Sequence, residues 1–246
     1  MLHQSSWEAF CANLVYETTY FAAAAGMTLG WSLRTEGRHH IPATGPALLI
    51  ANHQSFFDPL LVGLGTRRHL CFLARKSLFK NPAFTWLIRM LNGVPIDQEG
   101  VGKEGIKEIL GQLRSGQAVV VFPEGSRTSD GRMHPLRPGI HLLIKRGQAP
   151  IVPVGIAGAI DALPHWRTLP TPAPLFWPGC RSTIAVSIGR PLEAKLFAEM
   201  PRERALAELF SAIEAAWQRA EKLRAGKERL QSNAWSDRPE RSEPEA

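Results

Sequence analysis

Short apolar runs alternate with longer amphipathic stretches through most of this 246-residue chain. Six runs of mostly aliphatic residues have the length and composition of buried β-strands. They cover residues 47–51, 70–74, 93–96, 118–122, 151–156 and 183–188. Apolar residues recur at helical spacing between and after these runs, at residues 58–64, 82–91, 102–114, 139–145 and 193–230, the last suited to one or two amphipathic helices. Strands that alternate with helices predict an α/β fold: a single domain with a central, mostly buried mixed sheet flanked by helices.

Composition divides the chain into three segments. We expect residues 1–36 to form a helical region that associates with a membrane, and residues 37–230 to form the α/β domain. Residues 231–246 are polar and charged, which predicts a disordered tail. Hydrophobic residues make up 44% of the chain, enough for the core of one large domain.

Two segments are candidates for contact with a membrane. Residues 18–33 carry no charge, but these sixteen residues fall short of the ~20 that cross a bilayer. Together with Trp7 and Phe10, they are typical of an interfacial helix, although a helix packed on the domain has the same pattern. The proline-rich loop 169–179 contains Phe176 and Trp177, which suit either an apolar tip that dips into a membrane or a loop folded over the core.

Positive charge predominates, with a formal net charge of +7. Basic residues cluster within 67–80 and 127–146; such clusters attract anionic lipid surfaces, nucleic acid or phosphorylated substrates, or form an ordinary solvated face. Cys11, Cys71 and Cys180 are odd in number and widely separated, which indicates a reducing compartment and no disulfide framework. The histidines lack metal-ligand spacing, so we expect neither a metal nor a cofactor.

The motif Asn-His-Gln-Ser-Phe-Phe-Asp-Pro at 52–59 follows the first predicted strand. On a straight helix, His53 and Asp58 would point about 140° apart, so they meet only across an irregular loop. Pro59 suits the first helical position, which places Asp58 at or near the N-cap. In that geometry Asp58 accepts the hydrogen bond of one imidazole nitrogen and leaves the other to take a proton from a bound alcohol. Taken alone, the motif also fits a hydrogen bond that merely organises the loop.

A second motif, Phe-Pro-Glu-Gly-Ser-Arg-Thr at 122–128, follows the strand predicted at 118–122. Together the two motifs resemble the glycerolipid acyltransferase family, whose members acylate glycerol-3-phosphate or lysophosphatidic acid. His53 and Asp58 match its His-x4-Asp motif, and residues 122–128 match its phosphate-site block, although a strand-ending turn with an internal Glu–Arg pair is the simpler alternative. The Ile-Val-Pro-Val run at 151–154 resembles a further block, and the similarity extends from about residue 37 to residue 192.

The chain departs from this family at one position. The segment 93–98 ends in Gln98 where the family usually has an arginine thought to hold the acceptor phosphate. A neutral amide donates hydrogen bonds but supplies no charge. We therefore expect either a less anionic acceptor or a substitute cation, such as Lys76 or Arg127.

The resemblance implies direct acyl transfer from a thioester, acyl-CoA or acyl carrier protein, to a lysophospholipid hydroxyl, with 1-acylglycerol-3-phosphate giving phosphatidic acid as the leading case. In this interpretation His53 is the general base, Asp58 orients it, and no acyl-enzyme forms. Arg127 is the best candidate for the acceptor phosphate because its guanidinium binds two oxygens at once. Backbone amides near Gly125 assist, Glu124 contacts the acceptor hydroxyl or orients an arginine, and Asn52 hydrogen-bonds the His53 loop. The substrate-binding residues predicted are Asn52, Lys76, Gln98, Glu124, Gly125, Ser126 and Arg127.

The resemblance also implies a location on the cytoplasmic face of the cell membrane, peripheral or shallowly inserted. Its expected partners are a phospholipid surface, the lysophospholipid and the acyl donor, and not nucleic acid. Three alternatives remain: another lyso-lipid or amphipathic alcohol as acceptor, a non-catalytic lipid-binding protein, and a phosphate-ester hydrolase.

Overall fold

The computed structural model describes residues 6–80, 85, 88, 93–96, 103–174 and 182–236, and the structural statements below concern these residues. The strands are β1 Arg34–Glu36, β2 Ala47–Ala51, β3 Leu70–Arg75, β4 Gly93–Ile96, β5 Ala118–Val121, β6 Ile151–Ala157 and β7 Ala185–Ile188. The helices are α1 Ser6–Trp31, α2 Asp58–Thr66, α3 Lys103–Arg114, α4 Gly139–Gly147, α5 Ala159–Ala162, α6 Ala194–Glu199 and α7 Arg202–Ser236. Two short 3-10 turns cover Arg38–His40 and Lys76–Lys80.

The strands form one mixed sheet in the order β1-β7-β6-β2-β5-β3-β4. The five strands β2 to β6 run parallel to one another, whereas β7 is antiparallel to β6 and β1 is parallel to β7. This arrangement confirms the predicted single α/β domain with a mixed sheet flanked by helices. The carboxyl ends of β2, β3, β4 and β5 therefore lie at the same edge of the sheet, and we call this the catalytic edge.

The strands β2, β5, β6 and β7 are buried along their whole length, which explains why they are almost continuously apolar. All five residues of β2 are buried. Leu49 belongs to the core beneath α1 and α2, while its neighbours Leu48 and Ile50 belong to the core beneath α3, α4 and α7. Successive side chains of a strand point to opposite faces, so β2 contributes to both cores.

α7 lies unusually close to the sheet at Gly155 of β6. A Cβ atom added there would lie 2.1 Å from the carbonyl carbon of Ala216. The glycine therefore lets the helix backbone contact the strand directly.

All six predicted strands are present, with ends within two residues of the prediction. The 193–230 region, predicted to hold one or two helices, forms two, while α5 was not predicted and α7 continues to Ser236. The helix predicted at 82–91 lies mostly outside the described residues. β1, which pairs with β7, was missed because its Arg-Thr-Glu sequence is polar and only three residues long.

α1 packs on the domain along part of its surface. The Tyr20 hydroxyl donates to the carbonyl of Leu64 at 2.8 Å, and Met27 is buried. Phe21 and Leu29 are exposed on the same helix. No helix in the described ranges is long and apolar enough to span a bilayer, and membrane association of α1 remains a prediction. Residues 175–179 of the proline-rich loop predicted at 169–179 lie outside the described residues.

Candidate active site

The predicted chemistry lies beyond the carboxyl ends of adjacent parallel strands. His53 follows β2, the 122–128 motif follows β5, and Lys76 follows β3, which pairs with β5. Crevices at this edge of open α/β sheets are where ligands commonly bind. Topology alone therefore brings the two sequence motifs to the same edge.

His53 and Asp58 are in direct contact, as the sequence predicted. His53 Nδ1 lies 2.7 Å from Asp58 Oδ2, and Asp58 is completely buried. The loop between them is non-helical, and Asp58 opens α2 with Pro59 behind it. The same carboxylate oxygen accepts the backbone amides of Gln54 at 2.5 Å and Ser55 at 2.8 Å. Asp58 thus holds the loop upstream of α2, next to Phe57 at the N-cap.

This contact determines which imidazole nitrogen is available for chemistry. A carboxylate that also accepts two amide hydrogens acts as an acceptor, so we infer that the proton is on Nδ1 of His53. The Nε2 atom is then the nitrogen with a free lone pair. The His53 side chain keeps 17% of its surface exposed, which leaves the ring accessible.

Glu124 and Thr128 hold the backbone of His53 from the neighbouring strand end. The amide of His53 donates to Glu124 Oε1 at 2.8 Å, and the carbonyl of His53 accepts the amide of Thr128 at 2.9 Å. Glu124 Oε2 accepts the amide of His134 at 2.8 Å. Both carboxylate oxygens accept backbone amides, so Glu124 positions His53. Its backbone carbonyl accepts Arg137 Nε at 3.3 Å, and contact with an acceptor hydroxyl stays a prediction.

The electrostatic environment of Glu124 reflects two opposing causes. Burial raises its pKa, because the charged form loses water, while the amides of His134 and His53 lower the pKa by donating to the charged form. Burial is the larger of the two, and the net shift is upward.

Phe122 covers one face of the catalytic imidazole. The two rings are stacked, with centroids 4.1 Å apart and planes inclined by 18°. This contact fixes the ring plane, while Asp58 fixes its rotation. Phe122 belongs to the predicted 122–128 motif, but no role was predicted for it. The signal was an aromatic residue directly after β5 and before the Pro-Glu-Gly turn.

Asn52 links β6 to the loop of residues 52–57, which carries His53 and which we name the catalytic loop for its predicted role. Its side-chain nitrogen donates to the carbonyl of Ile156 at 2.9 Å, and its side-chain oxygen accepts the amide of Ile156 at 2.7 Å. The side chain is buried and its amide is paired on both sides. Asn52 therefore holds the loop, as its sequence position suggested, and its predicted role in substrate binding stays a prediction.

Arg127 lies at the mouth of the site, over an exposed ring. Its guanidinium carbon is 3.8 Å from the centroid of Phe56, which belongs to the catalytic loop. Gly125, with φ of 78°, makes the turn that leads to Arg127, and its amide donates to the carbonyl of Phe122 at 3.1 Å. That amide closes the turn and is not free for a substrate, whereas Ser126 is exposed.

The remaining predicted site residues are less closely defined. Lys76 is exposed at the carboxyl end of β3, on the catalytic edge. Gln98 lies outside the described residues. Within the described ranges, no cluster of His, Cys, Asp and Glu side chains is suited to holding a metal ion.

A family model described as acyltransferase matches residues 32–157, about half of the chain. The match covers both motifs and the strands β2, β3, β5 and β6. It therefore includes every residue that the structure brings together around His53.

Individual relatives point in the same direction. The chain is 27% identical over 205 residues to the 1-acyl-sn-glycerol-3-phosphate acyltransferase of Bacillus subtilis, covering 83% of this chain and 92% of that protein. It is 31% identical over 135 residues to the 1-acyl-sn-glycerol-3-phosphate acyltransferase of Streptococcus pneumoniae, of which it spans only 50%.

The structural comparison covers most of the fold. The crystal structure of the 1-acyl-sn-glycerophosphate (LPA) acyltransferase PlsC from Thermotoga maritima superposes with a TM-score of 0.71 at 25% identity. The match covers 92% of this chain and 85% of the Thermotoga chain. The likeness therefore extends beyond the two motifs to the domain that carries them.

Proposed function

Because the chain belongs to the acyltransferase family, we propose that it transfers a fatty acyl group from a thioester to the free hydroxyl of 1-acylglycerol-3-phosphate, giving phosphatidic acid. Family membership confirms the resemblance found in the sequence and the prediction of an O-acyltransferase. The acceptor is proposed because the Bacillus and Streptococcus relatives carry that activity in their names. The observation that carries the proposal is the 2.7 Å contact between His53 and Asp58 at the catalytic edge.

In the proposed reaction His53 is the general base. Its Nε2 takes the proton of the acceptor hydroxyl as the oxygen bonds to the thioester carbonyl carbon. The carbon–sulfur bond breaks, and the departing thiolate receives the proton from the imidazolium. Asp58 stabilises the imidazolium while it exists, and positioned proton transfer of this kind contributes roughly 10²–10⁴ in rate.

The transfer is proposed to be direct, without an acyl-enzyme. A thiolate leaves readily, so the reaction needs no intermediate on a serine or cysteine. Cys71 is ill suited to form one, because burial raises the pKa of its thiol to about 11 and so suppresses the nucleophilic thiolate.

We assign the acceptor phosphate to Arg127. Its side chain is half-buried beside the catalytic loop, and a planar guanidinium binds two phosphate oxygens at once. Lys76 is a second cation at the same edge of the sheet. These two residues are proposed to supply the charge that Gln98 lacks.

The proposed setting is the cytoplasmic face of the membrane, with acyl-CoA or acyl carrier protein as donor. The acceptor is an amphiphile that resides in a lipid surface. Support comes from the exposed Leu14, Phe21 and Leu29 on α1 and from the net charge of +7, which favours anionic lipid.

The decisive experiment measures thiol release from acyl-CoA with and without 1-acylglycerol-3-phosphate. We expect release that depends on the acceptor, and loss of turnover in His53→Ala with binding of both substrates retained. Release without acceptor would indicate a hydrolase, and no release would indicate a lipid-binding protein. Near-wild-type turnover of His53→Ala would contradict the assignment of the base.

A second assay separates the proposed acceptor from the alternatives. One radiolabelled acyl-CoA is offered with 1-acylglycerol-3-phosphate, uncharged monoacylglycerol and zwitterionic lysophospholipids. Assignment of a phosphate to Arg127 predicts the highest kcat/KM for the phosphomonoester. A preference for an uncharged acceptor would agree with Gln98 and contradict that assignment.

A further inference from the structure

Exposed apolar side chains are concentrated on one part of the described surface. Six of the eight large ones are Leu14, Phe21 and Leu29 on α1, Phe56 in the catalytic loop, and Trp166 and Leu169 in the loop after α5. The three on α1 point within about 80° of one another and form a single stripe. The other two are Leu142 on α4 and Leu196 on α6.

The loop after α5 is closed at its base and open at its tip. The amide of Thr171 donates to the carbonyl of Ala162 at 2.7 Å, so residues 163–170 leave and return at the same point. Compact surface loops whose ends meet in this way are frequently functional. Trp166 is 59% exposed and Leu169 is 75% exposed, although apolar residues of this size usually pack inward.

The base of this loop is attached to the catalytic loop and to α1. Ser55, whose amide donates to Asp58, also donates from Oγ to the carbonyl of Leu163 at 2.6 Å. Trp31 Nε1 at the end of α1 donates to the carbonyl of Thr171 at 2.8 Å. The base of the loop therefore has a fixed position next to the catalytic loop and the end of α1.

Arginines accompany these apolar side chains. The guanidinium carbon of Arg67 is 5.5 Å from the ring centroid of Phe21, and that of Arg127 is 3.8 Å from the ring of Phe56. Arg167 lies between Trp166 and Leu169 in the loop. Apolar side chains that reach the acyl boundary, with guanidinium groups at the level of lipid phosphates, are complementary to an anionic membrane surface.

We propose that residues 163–170 form a membrane-contact loop that, together with Phe56 and the α1 stripe, places the mouth of the active site on an anionic lipid surface. The inference rests on the proposed function, because a membrane-resident acceptor gives the contact its purpose. It assigns a role to Trp166 and Leu169 that neither the motifs nor the family match supplies. An amphiphilic acceptor would then enter the site from the same surface on which this loop lies.

The test compares Trp166→Ser/Leu169→Ser with a matched control, Leu142→Ser/Leu196→Ser, in the full-length chain. Both double variants remove two exposed apolar side chains, but only the first removes the loop tip. Partitioning is measured by co-sedimentation with vesicles of phosphatidylcholine containing a minority of phosphatidylglycerol. We expect the loop variant to partition about tenfold more weakly than wild type, from the apolar area withdrawn, and the control to match wild type.

Activity provides the second readout. With 1-acylglycerol-3-phosphate presented in the same vesicles, the loop variant should show a KM raised in proportion to its weaker partitioning. With a short-chain acceptor below its micelle concentration, its kcat/KM should equal that of wild type. Unchanged partitioning of the loop variant, or equal losses in both double variants, would overturn the proposal, and so would a loss of turnover on the monomeric acceptor.

A failure of the acyl-transfer proposal can be distinguished from a failure of the membrane-contact proposal. A wild-type protein that binds the vesicles but releases no thiol in response to acceptor would contradict the acyltransfer proposal. The partitioning comparison between the two double variants would still decide whether the loop contacts lipid.

Discussion

Three groups of contacts restrain different parts of His53. Asp58 holds Nδ1, Phe122 stacks on the ring face, and Glu124 with Thr128 holds the peptide on either side of the residue. A catalytic base must lie within hydrogen-bond reach of the proton that it removes, and small displacements are costly. The 122–128 motif thus restrains His53 through Phe122, Glu124 and Thr128, while Arg127 is its proposed contact with substrate.

Glu124→Gln tests the positioning role. The amide nitrogen cannot accept a hydrogen bond, so either the His53 amide or the His134 amide loses its acceptor. A hydrogen bond to a charged group is worth about 1.5–3 kcal/mol, and we expect kcat to fall roughly 10- to 100-fold. Both KM values should stay within about twofold, because ground-state binding is not affected.

Glu36→Gln is the matched control for this variant. Glu36 is a half-buried carboxylate on β1 that accepts the hydroxyl of Ser187 at 2.7 Å, away from the catalytic loop. Its kcat should be unchanged. If Glu124→Gln raised only the acceptor KM, Glu124 would contact the acceptor after all.

The same residue predicts a pH dependence of stability. Burial raises the pKa of Glu124 in the folded state above the ordinary value of about 4.3, so the folded protein retains this proton to higher pH than the unfolded chain. Its favourable contribution is complete below about pH 4.3 and is lost as the pH rises through the folded pKa. The difference in Tm between wild type and Glu124→Gln, followed by thermal melts from acidic to neutral pH, should therefore decrease as pH rises. A difference that increases with pH would mean that the amide hydrogen bonds outweigh desolvation.

Arg127→Ala tests the phosphate assignment. Loss of a charge-assisted contact of about 1.5–3 kcal/mol should raise the acceptor KM roughly 10- to 100-fold and leave the thioester KM unchanged. Arg204→Ala is a suitable control, since Arg204 is an exposed arginine on α7 paired with Glu208. A rise in the thioester KM alone would place the donor, and not the acceptor phosphate, at Arg127.

At the scale of elements, burial explains which strands could be predicted from the sequence, and pairing between remote segments explains which features could not. The run at 47–51 was predicted to the residue because a strand buried on both faces must be apolar throughout. β1 was missed because it is short and polar and its pairing with β7 is remote in sequence. The contact of His53 with Asp58 followed from local geometry. The hydrogen bond from the His53 amide to Glu124 depends on β2 and β5 lying side by side, which the motifs do not specify.

Gly155 of β6 lies between the contact with α7 and the residue that holds Asn52. In Gly155→Ala the new Cβ would lie 2.1 Å from the backbone of α7, so the helix must shift away from β6. Overpacking of this kind costs about 1–3 kcal/mol. At 2–4 °C per kcal/mol for a domain of this size, we expect Tm to fall by roughly 2–12 °C. Ile156, the next residue, holds Asn52, so kcat should fall as well.

Gly111→Ala is a comparable substitution for which we expect the opposite change in Tm. Gly111 lies in α3, and a Cβ there meets nothing within 4 Å. Alanine favours the helix and restricts the unfolded chain, which should stabilise the protein by about 0.4–1 kcal/mol. Thermal melts of the two variants should therefore move in opposite directions; a fall in Tm for both would show that Gly155 is not a special contact.

At the scale of the whole molecule, charge and apolar exposure would act on a membrane over different distances. The net charge of +7 attracts an anionic surface across a Debye length, which is about 10 Å at 0.1 M salt. The apolar side chains of the loop 163–170 contribute only on contact. The two contributions should therefore respond independently to salt and to mutation.

Salt dependence of vesicle binding tests this separation. Arg67, Arg127 and Arg167 accompany the exposed apolar surface, and at about 1 kcal/mol per basic residue near an anionic membrane they account for roughly a hundredfold in partitioning. Raising the salt to 1 M shortens the Debye length to about 3 Å and should remove most of that factor. The ratio between wild type and Trp166→Ser/Leu169→Ser should stay the same at both salt concentrations, because apolar burial is not screened. Partitioning that does not change with salt would show that the arginines do not contact the lipid surface. A wild-type to variant ratio that falls at high salt would show that the arginines and the loop do not contribute separately.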